Sequence, residues 1–239
     1  MSYNLPITKK DLDIYLKELA KEFRKRNKKT IPAEIILIGG ASILINYGFR
    51  DTTYDMDAII KASSSMKDAI NYVGDKYDLP VGWLNSDFTH TSSYSPKLVQ
   101  YSTYYKTYSN ILEIRTIGAE YLVAMKLMAG RKYKHDLSDV IGILYEHQQH
   151  NNPLSLEMIK AAITNLYGTY NAIPNDSQLF IERLFTEPHL DLLYNKIQFE
   201  EQESKELLLA FQADYPGVTT KDNINEILQA AKRKKNPKR

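Results

Sequence analysis

Residues 35–60, I-I-L-I-G-G-A-S-I-L-I-N-Y-G-F-R-D-T-T-Y-D-M-D-A-I-I, constrain the fold most. Ile35 to Ile38 is a short apolar, β-branched run that suits a buried strand. Gly39 and Gly40 end it, and Ala41 to Tyr47 leaves room for two helical turns before Gly48 stops them. Thr53 to Ile60 predicts a second strand, with Asp55 and Asp57 two residues apart. Strand side chains alternate between faces, so both carboxylates are expected on one face and Met56, Ala58 and Ile60 on the other.

That order of residues suggests a chemistry. Neighbouring carboxylates repel, and one tends to stay protonated unless a cation joins them. Oxygen ligands spaced this way suit magnesium, which usually takes one or two protein carboxylates plus substrate phosphates. Glycines let backbone N–H groups approach a phosphate closely, and the helix that follows aims its positive end at the same place. Ser42 can add a hydroxyl. Alone, G-G is ordinarily a turn and D-x-D a solvated strand edge; the combination, in this order and between strands, gives the pattern its weight. Arg50 has two readings, a phosphate contact or an ion pair with Asp51.

With 239 residues, 43% of them hydrophobic, the chain can bury a sizeable core. It has no cysteine, which excludes disulfides, thiolate metal sites and cysteine nucleophiles. The first residues, M-S-Y-N-L-P-I-T-K-K, lack an apolar signal core, and no apolar run is long enough to span a membrane. The expectation is a soluble, cytoplasmic protein with no membrane partner. Net charge is only +2, so the chain is no polycation, and its basic residues cluster in K-E-F-R-K-R-N-K-K and in the tail K-R-K-K-N-P-K-R. The first cluster reads as a solvated helix end, the second as a mobile tail able to touch a nucleic acid backbone.

Along the rest of the chain, Thr8 to about Asn27 predicts a helix opened by a Thr8–Asp11 capping box, and Ser65 to Tyr77 predicts another. Trp83 reads first as a buried packing anchor and second as a base-stacking surface. Leu98–Tyr108 and Ile111–Thr116 predict paired strands around a Ser109–Asn110 turn. Glu113 in the second of these is either a third metal ligand, a catalytic base, or an outward residue on a half-exposed sheet. Gly118–Gly130 predicts an apolar helix in which Lys126 either snorkels to water or reaches a phosphate. His135 to Asp139 opens a further helix, where Asp136 and Asp139 have an N-capping alternative. Beyond it, helices are expected at Ser155–Tyr167, Asp176–Phe185, Glu203–Ala213 and Thr220–Lys232, with no recognisable chemistry.

The series G-G-A-S, R-D-T-T-Y-D-M-D, E-Y-L-V-A-M-K-L-M-A-G-R and H-D-L-S-D-V, over residues 35–144, resembles nucleotidyltransferases of the DNA polymerase β superfamily. Within it the chain is most similar to the AbiEii-like type IV toxins of the bacterial abortive-infection group and their relatives. The resemblance implies an α/β (α+β) minimal nucleotidyltransferase fold, a short mixed β-sheet flanked by helices, at 1–130, and a helical C-terminal domain at 131–239. It implies Mg²⁺, a nucleoside triphosphate substrate, and transfer of a nucleotide to a tRNA or protein acceptor, in a toxin or phage-defence setting with a cognate antitoxin as partner. Gly39, Gly40 and Ser42 match the triphosphate-holding motif, and Asp55 and Asp57 the metal pair. Lys126 matches a phosphate-contacting lysine. Arg131 and Asp136 match a later basic–acidic motif, here with different spacing. Glu113 falls where the third carboxylate would lie. Two rival expectations are a catalytically silent interaction module on the same fold and transfer to a small molecule such as an antibiotic.

Overall fold

The computed structural model describes residues 6–27, 31–220 and 223–235. The basic-tail expectation therefore falls partly outside the described residues, at 236–239. Seven strands and nine α-helices are described: β1 Ile7–Thr8, α1 Lys9–Arg26, β2 Ala33–Leu37, α2 Gly39–Asn46, β3 Thr52–Thr53, β4 Met56–Lys61, α3 Ser65–Tyr77, β5 Leu84–Asn85, β6 Ser102–Tyr108, β7 Leu112–Ile117, α4 Ala119–Ala129, α5 Asp136–Gln149, α6 Leu156–Tyr167, α7 Asn175–Leu184, α8 Leu190–Asp214 and α9 Ile224–Lys235. The architecture is mixed α/β, as the sequence predicts, with a five-stranded mixed sheet in the order β5-β4-β2-β7-β6 and a small β1–β3 pair.

The sheet divides the core into two layers. Ile35, Leu37, Met56, Ala58, Leu112 and Ile114 face α1 and α3. Ile36, Ile38 and Ile117 face α4 and, beyond it, α5 to α7. This second cluster runs unbroken across residue 130, from Ile36 to Ile141, Ile159 and Ile181. The capping box of α1 is present: Thr8 Oγ1 accepts from Asp11 N, and Asp11 Oδ2 accepts from Thr8 N. Trp83 is a packing anchor, buried beside Tyr15 and donating its indole N–H to the Ile70 carbonyl. No helix among the described residues is long and apolar enough to cross a membrane.

Three elements depart from expectation. The strand expected at Thr53–Ile60 is two strands in different sheets, because β3 pairs with β1 and β4 with β2. Pro96–Tyr101 is a 3-10 helix rather than the start of β6, with proline in its first turn, where no N–H is needed. Finally, α8 begins at Leu190 rather than Glu203 and runs for 25 residues. Its buried stripe is Glu201, Ser204 and Leu208. Two of these three are polar, so hydrophobic periodicity could not reveal where the helix docks.

Candidate functional site

Strand β2 delivers the chain to the site. After Ile38 the backbone turns at Gly39, whose φ of +53° favours glycine, and α2 begins at once. The glycine pair is therefore the first turn of α2 rather than a loop before it. Its leading N–H groups have no intrahelical partner, and among the described residues no side chain caps that turn. A Cβ on Gly40 would lie 2.6 Å from Thr53 Oγ1 and 3.1 Å from Arg50 Nη2, so only glycine admits both neighbours.

Strand β4 runs back beside this turn. Ile38 N donates to the Asp57 carbonyl at 2.8 Å, and a Cβ on Gly39 would stand 3.9 Å from Asp57 Oδ2. Asp55 is not in the strand; it lies in the connection from β3, where its carbonyl accepts from Thr53 Oγ1. Both carboxylates nonetheless line one cleft of about 680 Å³ with Gly39 and Gly40. Burial, and then the charge of Asp55, push the Asp57 carboxyl up to about 6. Asn85 of β5 pairs across from Asp57 and lines the same cleft.

The opposite side is basic. Lys126 of α4 is almost wholly enclosed and neither snorkels nor stands free: its ammonium lies 3.0 Å from Asp136 Oδ1 and 2.8 Å from Asp139 Oδ2. Arg131 closes on Asp136 through Nε at 2.7 Å and Nη2 at 3.1 Å, and Arg50 closes on Asp139 through Nη1 at 2.9 and 2.7 Å. Burial pushes the Asp136 carboxyl up, but the charges of Lys126 and Arg131 outweigh it and hold it well below the usual carboxylate range. Burial acts against the Lys126 ammonium too, and Asp139 and Asp136 more than offset it. Asp136 and Asp139 do not cap α5. That role falls to Glu201 of α8, which accepts from Leu137 N at 2.9 Å, Ser138 N at 3.4 Å and Ser138 Oγ at 2.5 Å. Burial pushes the Glu201 carboxyl up to about 7.

Seven of the nine residues singled out in the sequence line the cleft: Gly39, Gly40, Asp55 and Asp57, and then Lys126, Arg131 and Asp136, which are joined by ion pairs. Two do not reach it. Ser42 is fully buried, and its hydroxyl accepts from Ile117 N at 3.2 Å. Glu113 faces the same side of the sheet as Asp57 but at the other end. It pairs in register with Glu34, at the start of β2, and binds Arg115 Nη1 at 2.8 Å. Carried four residues further, that register sets Ile117, not a carboxylate, level with Ile38 and so with Asp57. Sequence reasoning missed Lys134 and His135 as cleft-side groups, and α8 as a wall that contributes Glu201, Lys205 and Gln212.

The donor set fits a magnesium ion. Among the described residues no three carboxylate, histidine or cysteine side chains group as a metal cage. Two neighbouring carboxylates with a basic wall opposite are what a cation shared with substrate phosphates requires.

A family model described as "nucleotidyltransferase of unknown function (DUF6036)" matches residues 14–179. A search of curated proteins and a search of solved structures each return no match. The matched span covers most of the chain and every cleft residue before α8, and the chain belongs to that nucleotidyltransferase family.

Proposed function

We propose that this family member is a Mg²⁺-dependent nucleotidyltransferase that moves a nucleoside monophosphate from a nucleoside triphosphate to a tRNA or protein acceptor. The observation that carries the reading is the meeting of Asp55, Asp57 and the uncapped Gly39–Gly40 turn in one cleft. Asp55 and Asp57 would hold the metal, which when bound neutralises charge on the phosphates. The free N–H groups of α2 orient the phosphate chain. Lys126 and Asp136 position the basic wall through their ion pair rather than acting on substrate. In the transfer, the acceptor oxygen bonds to the α-phosphorus as the bond from that phosphorus to the pyrophosphate oxygen breaks, and the acceptor's proton passes to water. A role as a toxin or phage-defence component with a cognate antitoxin rests on the resemblance to AbiEii-like proteins.

A second reading, a nucleotide-binding module that transfers nothing, is favoured by one observation: Glu113 lies away from the cleft and Ile117 stands level with Asp57. Incubation with each α-labelled triphosphate, Mg²⁺, and total RNA or lysate protein separates the two. The transferase reading expects label in RNA or protein. Triphosphate binding with no label in any acceptor would support the silent module instead.

A further inference from the structure

We propose that Arg50 and Lys134 contact the triphosphate and that Lys126 does not; this rests on the nucleotidyl-transfer reading above. The assignment follows from where the donors of each cation are spent. Lys126 is enclosed between Asp136 and Asp139, at 3.0 and 2.8 Å, and its charge is answered on both sides. An ammonium has three donors in a compact cluster, and one held by two buried carboxylates has little left to offer an incoming anion.

Arg50 is spent on one edge only. Its Nε donates to the Thr52 carbonyl at 3.0 Å and its Nη1 to both oxygens of Asp139. Nη2 makes no hydrogen bond to the described residues. It lies 3.1 Å from the point a Cβ on Gly40 would occupy, against the turn whose N–H groups are uncapped. The guanidinium is a rigid fork, so fixing three donors aims the other two. Asp139 thus orients Arg50, and the missing side chain at Gly40 lets the free edge reach the turn.

Lys134 is the second such cation. It lines the cleft and makes no ion pair among the described residues. Asp55 and Asp57 line the same cleft. Asp55 and Asp57 would hold the metal, and the unpaired ammonium of Lys134 in the same cleft would meet charge left on the phosphates. The phosphate chain would then lie between Arg50 at the glycine turn and Lys134 at the aspartates.

Isothermal titration with inorganic tripolyphosphate and Mg²⁺, and with each nucleoside triphosphate and Mg²⁺, tests this. Arg50→Lys keeps a positive charge for Asp139 but loses the free edge; Lys134→Met keeps the stem and loses the charge. Each is expected to weaken tripolyphosphate binding at least tenfold, with a melting temperature close to that of the wild type. Wild-type affinity in both folded variants would overturn the assignment while leaving the transferase reading intact. A wild-type protein that binds neither tripolyphosphate nor any nucleotide would overturn both. If Arg50→Lys does not fold, arginine-labelled wild-type protein answers by NMR. Tripolyphosphate should shift the Arg50 side-chain resonances, and shifts confined to the Gly39 and Gly40 amides would contradict the proposal.

Discussion

Two ion networks lie on the same face of one sheet, and they differ in almost everything but their chemistry. At one end, Glu34, Lys61, Glu113 and Arg115 pair at distances of 2.8 to 3.8 Å while partly open to water. At the other end, Arg50, Asp139, Lys126, Asp136 and Arg131 form a chain in which Asp136 is fully buried and Asp139 nearly so. Water screens the first set, so breaking a pair there changes little. The carboxylates of the second set are shut away from water, and their charges depend on their partners. Both sets contain carboxylates on or near strands, yet only the buried one borders the cleft. Strand parity fixes which face a residue takes. It does not fix which end of the strand it occupies, and here the end decides.

The comparison can be broken most easily at Asp136. Asp136→Ala leaves the enclosed Lys126 with only Asp139, and leaves Arg131, partly open to the cleft, without its carboxylate. We expect a loss of about 3–5 kcal/mol in unfolding free energy by chemical denaturation. A loss below about 1 kcal/mol would mean that the buried network is as weakly coupled as the exposed one.

Glu201 sharpens the contrast through pH. Its folded carboxyl is pushed up to about 7 by burial, above the unfolded value. A carboxyl of that kind holds its proton more tightly in the folded state. Its contribution is therefore complete below the unfolded pKa, about 4.3, and is lost as pH rises through 7. The wild type should lose on the order of 3–4 kcal/mol over that window from this group. Glu201→Gln, which keeps an acceptor for Leu137 N, should flatten that part of the stability profile. An unchanged slope would remove Glu201 as its cause.

The smallest effect belongs to the exposed network. Glu113→Gln should shift unfolding free energy by less than about 1 kcal/mol and leave nucleotide binding unaltered. A tenfold loss of binding or turnover would return Glu113 to the site and undo the separation of the two networks.

The glycine turn and both aspartates were legible in the sequence, because each rests on local backbone chemistry: glycine after a strand, and carboxylates two residues apart beside it. Asp55 reached the cleft although it lies outside the strand predicted for it. Of the two readings of Arg50, the ion pair with its neighbour Asp51 gives way to one with Asp139, 89 residues on, which no local pattern reveals. Glu113 failed on register, which no local pattern encodes. The α8 wall was illegible because the helix docks through Glu201 and Ser204, and a polar stripe gives no hydrophobic period. Lys126 was correctly singled out as odd in its helix, but the sequence could not say that Asp136 and Asp139 would converge on it.

The central claim, that Asp55 and Asp57 form the working end of the cleft, is tested most directly by Asp57→Asn. The change keeps the shape of the side chain and removes a charge that a divalent cation needs. Mg²⁺-dependent nucleotide transfer should fall by at least a thousandfold, about 4 kcal/mol of transition-state stabilisation, while the circular dichroism spectrum and melting transition stay those of a folded protein. Wild-type transfer by the folded Asp57→Asn protein at saturating Mg²⁺ would contradict the account.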